Sequence, residues 1–523
     1  MSFDIPSIAQ YTPEATVFIG VILVFMLDVA GIRSRAIIGG ATSIFLLLAF
    51  LQVLADLGSW PLQGLSTLPA GLLGTQNGPV IFTNFGLIFQ GIFLLSALLV
   101  ALASVSEADG EEVPTFYALL SLAALGMLFV AISADLIFLL LSVEITGIAT
   151  YVMVGYTRKD RRAVEAAMKF YIIGALSTAI SFFGASLLYG AYGTTSLTAF
   201  RALPANSSLA LVGFGMVAVG LGFKATLVPF HMWAVDVYDG APASVSAFLA
   251  AGSKKMGLFG IFIVFVAAVR IFASAQGFAL YLALGALAVI TMTVGNVMAL
   301  EQTTMKRMLA YSSIAQAGYM LLGIAIDTPA ALAGATLQIT ADVLMKAGAF
   351  IVVGAAVGLG VGPLITDWRG VGHSRPGIGA SFAIMLLSLA GMPLTLGFVG
   401  KFYLFFAAVE AGGYFTLLAI AGLLNSALSV FYYARILRYM YMPESTGSAT
   451  AGAHPLSHSS LGVGNAPAAP AWGSVRDEIR GTGSARWATV VGIALLLLVL
   501  GIYPTPLIGA MNSAAQQFLT LGL

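Results

Sequence analysis

Apolar residues run through this chain in blocks of about twenty, the length a helix needs to cross the hydrocarbon core of a bilayer. The blocks lie near residues 15–32, 36–56, 84–105, 115–133, 135–156, 168–192 and 207–230, and then near 243–269, 277–300, 308–326, 330–358, 378–408, 413–441 and 487–510. Barrel strands would instead alternate polar and apolar residues over segments of about ten. A lipid-embedded backbone must satisfy its own hydrogen bonds, so helices are the spanning element left. The pattern predicts an all-α polytopic membrane protein with about fourteen transmembrane helices. No basic residue precedes the first block in MSFDIPSIAQ, so that block is expected to be a retained span and not a cleaved signal. Glycines such as Gly213, Gly215, Gly220 and Gly222 suit close helix packing. They do not suit a nucleotide loop, since no strand or acidic ribose partner accompanies them.

Composition agrees. Of 523 residues, 59% are hydrophobic and 9% are charged, against about 25% charged in soluble domains. A net charge of +1 argues against a basic nucleic-acid surface, and the absence of cysteine excludes thiolate metal sites and iron–sulfur clusters built from this chain. The basic residues also test the span map. Alternate loops carry Arg33, Arg35, Arg158, Lys159, Arg161, Arg162, Lys306, Arg307, Arg369, Arg375, Arg435, Arg438, Arg476, Arg480 and Arg486, whereas the opposite loops carry only Arg201 and Arg270. The positive-inside rule then places both termini on the non-cytoplasmic side. The Ser-, Gly-, Ala- and Pro-rich stretch 443–486 is expected to be a flexible cytoplasmic loop. Its His454 and His458 are spaced for a metal on a helix, but their surroundings favour a loop.

Six basic residues remain inside spans, and all are lysines: Lys169, Lys224, Lys254, Lys255, Lys346 and Lys401. A desolvated lysine can exchange its proton near neutral pH, whereas arginine stays charged. Glu144 and Asp342 are the carboxylates most clearly within spans, and Asp28 is expected at an interface. A charge at the bilayer centre costs at least about 2.5–3.5 kcal/mol, so each needs a use. Lys169 and Lys255 could simply snorkel or cap. Lys224, in GLGFKATLVPFHMW, precedes Pro229 by five residues, and Lys401, in SLAGMPLTLGFVGKFYLF, follows Pro393 by eight. Both segments are expected to be discontinuous helices, and a pair of interrupted helices in corresponding halves points to an ion site. Lys254 marks a third break, in FLAAGSKKMG.

Glu144 and Lys224 read as a switchable ion pair, Lys254 as a middle relay and Lys401 as the terminal group. Asp342 and Lys346, four apart on one helical face, are either a self-neutralising pair or a side branch of the relay. Ser312, Ser313, Gln316 and Asn296 could line an aqueous path or bond neighbouring helices.

These residues carry a family resemblance. PFHMWAVDVYDGAPASVSAFLAAGSKKMG, LAYSSIAQAGYMLLG and GMPLTLGFVGKFYLFFAAVEAG resemble signatures of the antiporter-like subunit N of respiratory complex I. The likeness covers most of the chain and is weakest at the N-terminus and in the loop before the last span. It implies two inverted five-helix repeats, and it matches Glu144, Lys224, Lys254 and Lys401 to the family's proton-relay positions. Lysine at 401 resembles subunit N more than its sibling M, and the absence of a long lateral helix after the last span separates the chain from sibling L. Asp342 and Lys346 depart from the pattern of many N subunits.

The expected organisation is a three-helix segment (1–110), a first repeat (111–270), a second repeat (271–442), the loop (443–486) and a last helix (487–523). The resemblance implies a proton-translocating, multi-pass subunit in a prokaryotic cell membrane that binds no cofactor itself. NADH, F420H2 or ferredoxin would be oxidised, with FMN, iron–sulfur clusters and quinone, in partner subunits, and other membrane-arm subunits and lipid would be its neighbours. Two rivals stand beside this reading: a subunit of a multisubunit sodium/proton antiporter without redox partners, and a non-conducting scaffold that uses its buried ions for packing.

Overall fold

A computed structural model describes residues 8–58, 73–74, 76–106, 110–202, 208–271, 275–442 and 483–521. Most of the stretch expected as a flexible loop, with His454 and His458, lies outside the described residues.

The helices follow the apolar blocks. The first three are α1 (Thr12–Val29), α2 (Arg35–Asp56) and α3 (Asn84–Ser104). A first set of five spans consists of α4 (Val113–Ala131), α5 (Leu136–Val154), α6 (Arg161–Tyr192), the broken pair α7 (Ser208–Lys224) and α8 (Met232–Gly240), and the nearly continuous α9 (Ala243–Phe248) and α10 (Lys254–Ile271). A second set comprises α11 (Ala275–Glu301), α12 (Met305–Ile326), α13 (Pro329–Gly358), a broken pair α15 (Pro376–Ala390) and α16 (Leu396–Ala411), preceded by the short α14 (Val371–Ser374), and α17 (Tyr414–Tyr441). Two helices close the chain, α18 (Ser484–Ile502) and α19 (Thr505–Leu521).

Twelve of the described spans are long and apolar enough to cross a membrane, and α7 and α15 are shorter apolar helices that end at breaks. All fourteen apolar blocks are thus accounted for, with two corrections. The block at 207–230 stops being helical at Lys224, because Pro229 cannot donate into a continuing helix. The last block ends at Ile502, and Pro506 opens a further helix, α19, which packs on α13 and α3. Its polar face, with Asn512, Ser513, Gln516 and Gln517, hides it from a search for continuous apolar runs.

The two five-span sets pack alike. α4 lies on α5 as α11 lies on α12, and α6 on α7 as α13 on α16. Five is odd, so if every span crosses the bilayer, the second set enters from the opposite side and the repeats are inverted. Side-chain caps fix several helix starts: Asp135 accepts from Ile137 N and Phe138 N at 2.9 and 3.1 Å, and Thr328 accepts from Ala331 N before the Pro329 start of α13. α13 and the α9–α10 segment are buried almost throughout, as helices apolar on every face should be. They form the seam where the two sets meet.

Candidate functional site

The breaks are built from short-range bonds that replace a missing helical ladder. After Lys224 the backbone turns, with Thr226 at φ 59°, and Trp233 Nε1 reaches back to donate to Phe223 O at 3.1 Å. The Trp233 indole stacks on Phe170, with ring centroids 4.3 Å apart. In the second set the break falls between α15 and α16. Gly391 takes φ +87° and Leu394 φ 71°, while Thr395 Oγ1 bonds Met392 O at 2.7 Å. Non-glycine residues held at positive φ cost local strain and cluster at functional sites. A third irregularity, the π-helical turn Leu249–Ser253, lies immediately before Lys254 and Lys255.

These breaks position the lysines. Lys224 ends α7, is 3% exposed, and donates to Tyr151 Oη at 3.1 Å while lying 4.6 Å from the centre of the Tyr151 ring. Glu144 is on α5 and accepts from Thr178 Oγ1 at 2.5 Å. The expected Glu144–Lys224 ion pair is not formed: no pair closer than 4.0 Å joins them, because Thr178 and Tyr151 hold the two groups separately. Both side chains line one small cavity, with Ser177, Ser181 and Gly220, which has room for about one water. A Cβ on Gly147 would approach Lys224 Nζ to 2.8 Å and Glu144 Oε2 to 3.3 Å, so glycine leaves the space between them open.

Along α12 the polar residues link the remaining groups. Lys254 Nζ bonds Ser313 through its Oγ at 3.0 Å and its carbonyl, and Lys346 Nζ bonds the adjacent Ser312 Oγ and Leu309 O. One turn further, Gln316 Nε2 donates to Leu389 O at 3.3 Å, the same carbonyl that accepts from Lys401 Nζ at 2.8 Å. Gln338 Nε2 donates to Gln316 Oε1 at 2.8 Å. Lys401 also bonds Ser426 Oγ at 3.1 Å and sits 4.8 Å from the Tyr319 ring centre, capping the last carbonyls of α15. A cation at a helix C-terminus is favoured by the macrodipole. Ser312, Ser313 and Gln316 thus bond the buried lysines or their carbonyl partner, whereas Asn296 bonds Tyr319, Tyr432 and Asn425 and ties α11 to α17.

Two further expectations are corrected. Asp342 does not pair with Lys346 on its own helix; its Oδ2 makes a close ion pair with Lys255 of α10, and both side chains are 0% exposed. Lys255 therefore neither snorkels nor reaches the surface, although its Nζ does bond a backbone carbonyl, Ala250 O, at 2.9 Å. Lys169 is half exposed and pairs with Glu165 and Asp236 at the edge of the bundle. Sequence reasoning passed over Glu14, which is 2% exposed and accepts from Gln90 Nε2 at 2.6 Å. It stands one residue before the first apolar block, and that proximity is the only signal the sequence carries. Among the described residues no cluster of three or more His, Cys, Asp or Glu side chains is arranged to hold a metal.

Comparison with known proteins follows from this geometry. A family model described as "NADH:quinone oxidoreductase/Mrp antiporter, TM" matches residues 133–429. The F(420)H(2) dehydrogenase subunit N of Methanosarcina mazei is 40% identical over 419 residues, covering 76% of this chain and 84% of the relative. The NADH-quinone oxidoreductase subunit N of an Anaeromyxobacter species is 35% identical over 473 residues, covering 84% and 88%. Among solved structures, a chain of respiratory complex I from Thermus thermophilus with bound aureothin superposes with a TM-score of 0.73 at 29% identity, covering 95% of this chain and 99% of that one. A chain of the Mrp complex from a Dietzia species reaches a TM-score of 0.80 over 99% and 100%, and at 21% identity it speaks to the fold alone.

Proposed function

The chain belongs to the NADH:quinone oxidoreductase/Mrp antiporter transmembrane family, and from that premise we propose that it is a proton-translocating membrane-arm subunit of a complex I type quinone oxidoreductase. It carries no redox chemistry of its own. The donor, whether NADH, F420H2 or ferredoxin, reacts with FMN, iron–sulfur clusters and quinone held by partner subunits. The subunit's work is electrostatic: redox energy released elsewhere changes the field at Glu144 and Lys224, and a proton moves through Lys254 to Lys401. Spans 111–270 and 271–442 act as the two half-channels, and the fifteen-to-two bias of basic residues between alternate loops supports an orientation with both termini on the non-cytoplasmic side.

The observation that carries this reading is the row of bonds along α12. Lys254 meets Ser313, Lys346 meets Ser312, and Gln316 shares Leu389 O with Lys401, so the middle and terminal lysines are joined by polar groups with few gaps. Water need bridge only short intervals between them. In the first half, the one-water cavity between Glu144 and Lys224 lets the carboxylate move toward or away from the ammonium. When Glu144 approaches, the proton on Lys224 is held; when it withdraws, that proton is released into the row.

A scaffold would need its buried charges only as satisfied pairs, and Lys224, Lys254, Lys346 and Lys401 are held by neutral groups instead. The rival antiporter reading shares every residue of the row and differs in its partners. Purification from native membranes through a tag on this chain tests the choice. Copurifying flavin-containing, quinone-reducing subunits are the expected outcome, and sodium-dependent proton exchange by a complex lacking them would replace this function with the antiporter one.

A further inference from the structure

The carboxylates of this row are unevenly shared. Glu144 is the acidic group acting electrostatically on Lys224. Asp342 is the acidic group acting on Lys254, Lys255, Lys346 and Lys401 alike. It sits on α13 at the seam, and it reaches across to Lys255 of α10 in the other five-span set. Only half of it is used. Oδ2 takes the ion pair, while Oδ1 is buried with no hydrogen-bond partner. A buried carboxylate oxygen left without a donor is costly and calls for an explanation. Lys255 itself is anchored by the carbonyl of Ala250, inside the π-helical turn that also ends at Lys254.

We propose that Asp342 is a second switch carboxylate, serving the lysines at the seam and in the second repeat as Glu144 serves Lys224, and that Lys255 is the positioning residue that holds it between transfers. The inference rests on the proton relay proposed above. With Asp342 on Lys255, its charge is largely offset by that partner and acts on Lys254 and Lys346 only without contact. When a proton reaches Lys254, the free Oδ1 turns toward the new ammonium and stabilises it there. Return of Asp342 to Lys255 removes that stabilisation, and the proton leaves Lys254 for the amine of Lys401 by way of Ser313, Ser312, Gln316 and intervening water. Lys254 ends as an amine, Lys401 as an ammonium, and no electron moves. Because Lys255 and Asp342 belong to opposite sets, the exchange also makes the state of one half-channel depend on the other. The titratable groups that interact electrostatically with Asp342 are Lys254 and Lys255 from α10, Lys346 from its own helix, Lys401 from α16, Tyr238 from α8 and Tyr433 from α17, so the competition for it is among lysines. Among side chains this deeply buried these interactions are weakly screened.

The test compares two charge deletions in the whole membrane complex, reading protons translocated per electron and electron flux separately. Lys255→Met with Asp342→Leu removes the pair together, a change that leaves a merely structural ion pair's site filled with packed apolar groups. The expected result is a fall in translocated protons with electron flux retained, partly recovered when Asp342→Glu is made with Lys255 present. Unchanged stoichiometry in the double variant overturns the switch. If the double variant does not accumulate, the isosteric Asp342→Asn takes its place with the same two outcomes. Lys224→Ala in parallel separates the two ideas. Loss there without loss in the Asp342 variants rejects this inference alone, and no loss in either rejects the relay.

Discussion

The two ends of the lysine row solve the problem of a buried amine in different ways. At Lys224 the ammonium faces aromatic rings and a phenol, the nearest carboxylate stands apart on Thr178, and a small cavity separates them. At Lys401, among the described residues, no carboxylate hydrogen-bonds or pairs with the amine. Two carbonyls at the end of α15 and Ser426 Oγ surround the amine directly. The first site is loose and its charge balance can change by a small movement of Glu144. The second is held by fixed dipoles that cannot withdraw. In the proposed relay, a loose input and a fixed acceptor suit directional transfer between lysines, since of these two ends only the first has to be switched.

Several substitutions probe that contrast, beginning with the largest effect. Gly257→Ala would drive a Cβ to 2.6 Å from Ala225 N and 2.7 Å from Lys224 C, at the backbone of the first break. Backbone cannot yield as a side chain can, so overpacking of about 1–3 kcal/mol or more is expected, and immunoblots of membranes should show little subunit. Gly215→Ala, with open space around the new Cβ, should accumulate normally. Lys401→Met should lower proton translocation by about tenfold in reconstituted vesicles and lower the melting temperature only slightly, because Leu389 O keeps Gln316 Nε2 and Ala390 O keeps Ser426 Oγ as donors and only about 0.5–1.5 kcal/mol goes with the lysine's own bonds. A large loss of stability would show that Gln316 and Ser426 do not keep those carbonyls satisfied.

Thr178→Val tests the loose end. It removes the hydroxyl that holds Glu144 away from Lys224, and it should change the translocation rate by about two- to fivefold, the worth of one hydrogen bond of about 0.5–1 kcal/mol. An unaltered rate would mean that Glu144 does not need to move. Lys169→Ala should do least. Its pairs with Glu165 and Asp236 are half exposed, so little change in stability and no measurable loss of translocation is expected.

The span map was legible because lipid imposes one length on every crossing helix and leaves a twenty-residue mark in the sequence. The breaks at Lys224 and Lys401 were legible through Pro229 and Pro393, and the turn at Lys254 through its glycine and polar neighbours. Pairing was not. Asp342 and Lys346 are at helical spacing and of opposite sign, yet the partner of Asp342 came from a residue 87 positions away, because α9 and the π-helical turn just before Lys255 pack against α13 at the seam. Neighbour rules within a helix describe exposed faces, and α13 has none. Glu144 and Lys224 show the converse. Their charges suit each other, but Thr178 and Tyr151 compete for them, and no sequence pattern announces a hydroxyl arriving from α6 or a phenol two turns along the same face of α5. The amphipathic α19 escaped for a third reason, that a helix lying partly against protein does not need an unbroken apolar surface.

Proton translocation through Lys224 can be tested most directly by the ratio of protons moved to electrons transferred in vesicles containing the assembled complex, with Lys224 replaced by Ala. Electron transfer should continue while the ratio falls by this subunit's share. A ratio equal to that of the unmodified complex would contradict a proton path through this lysine.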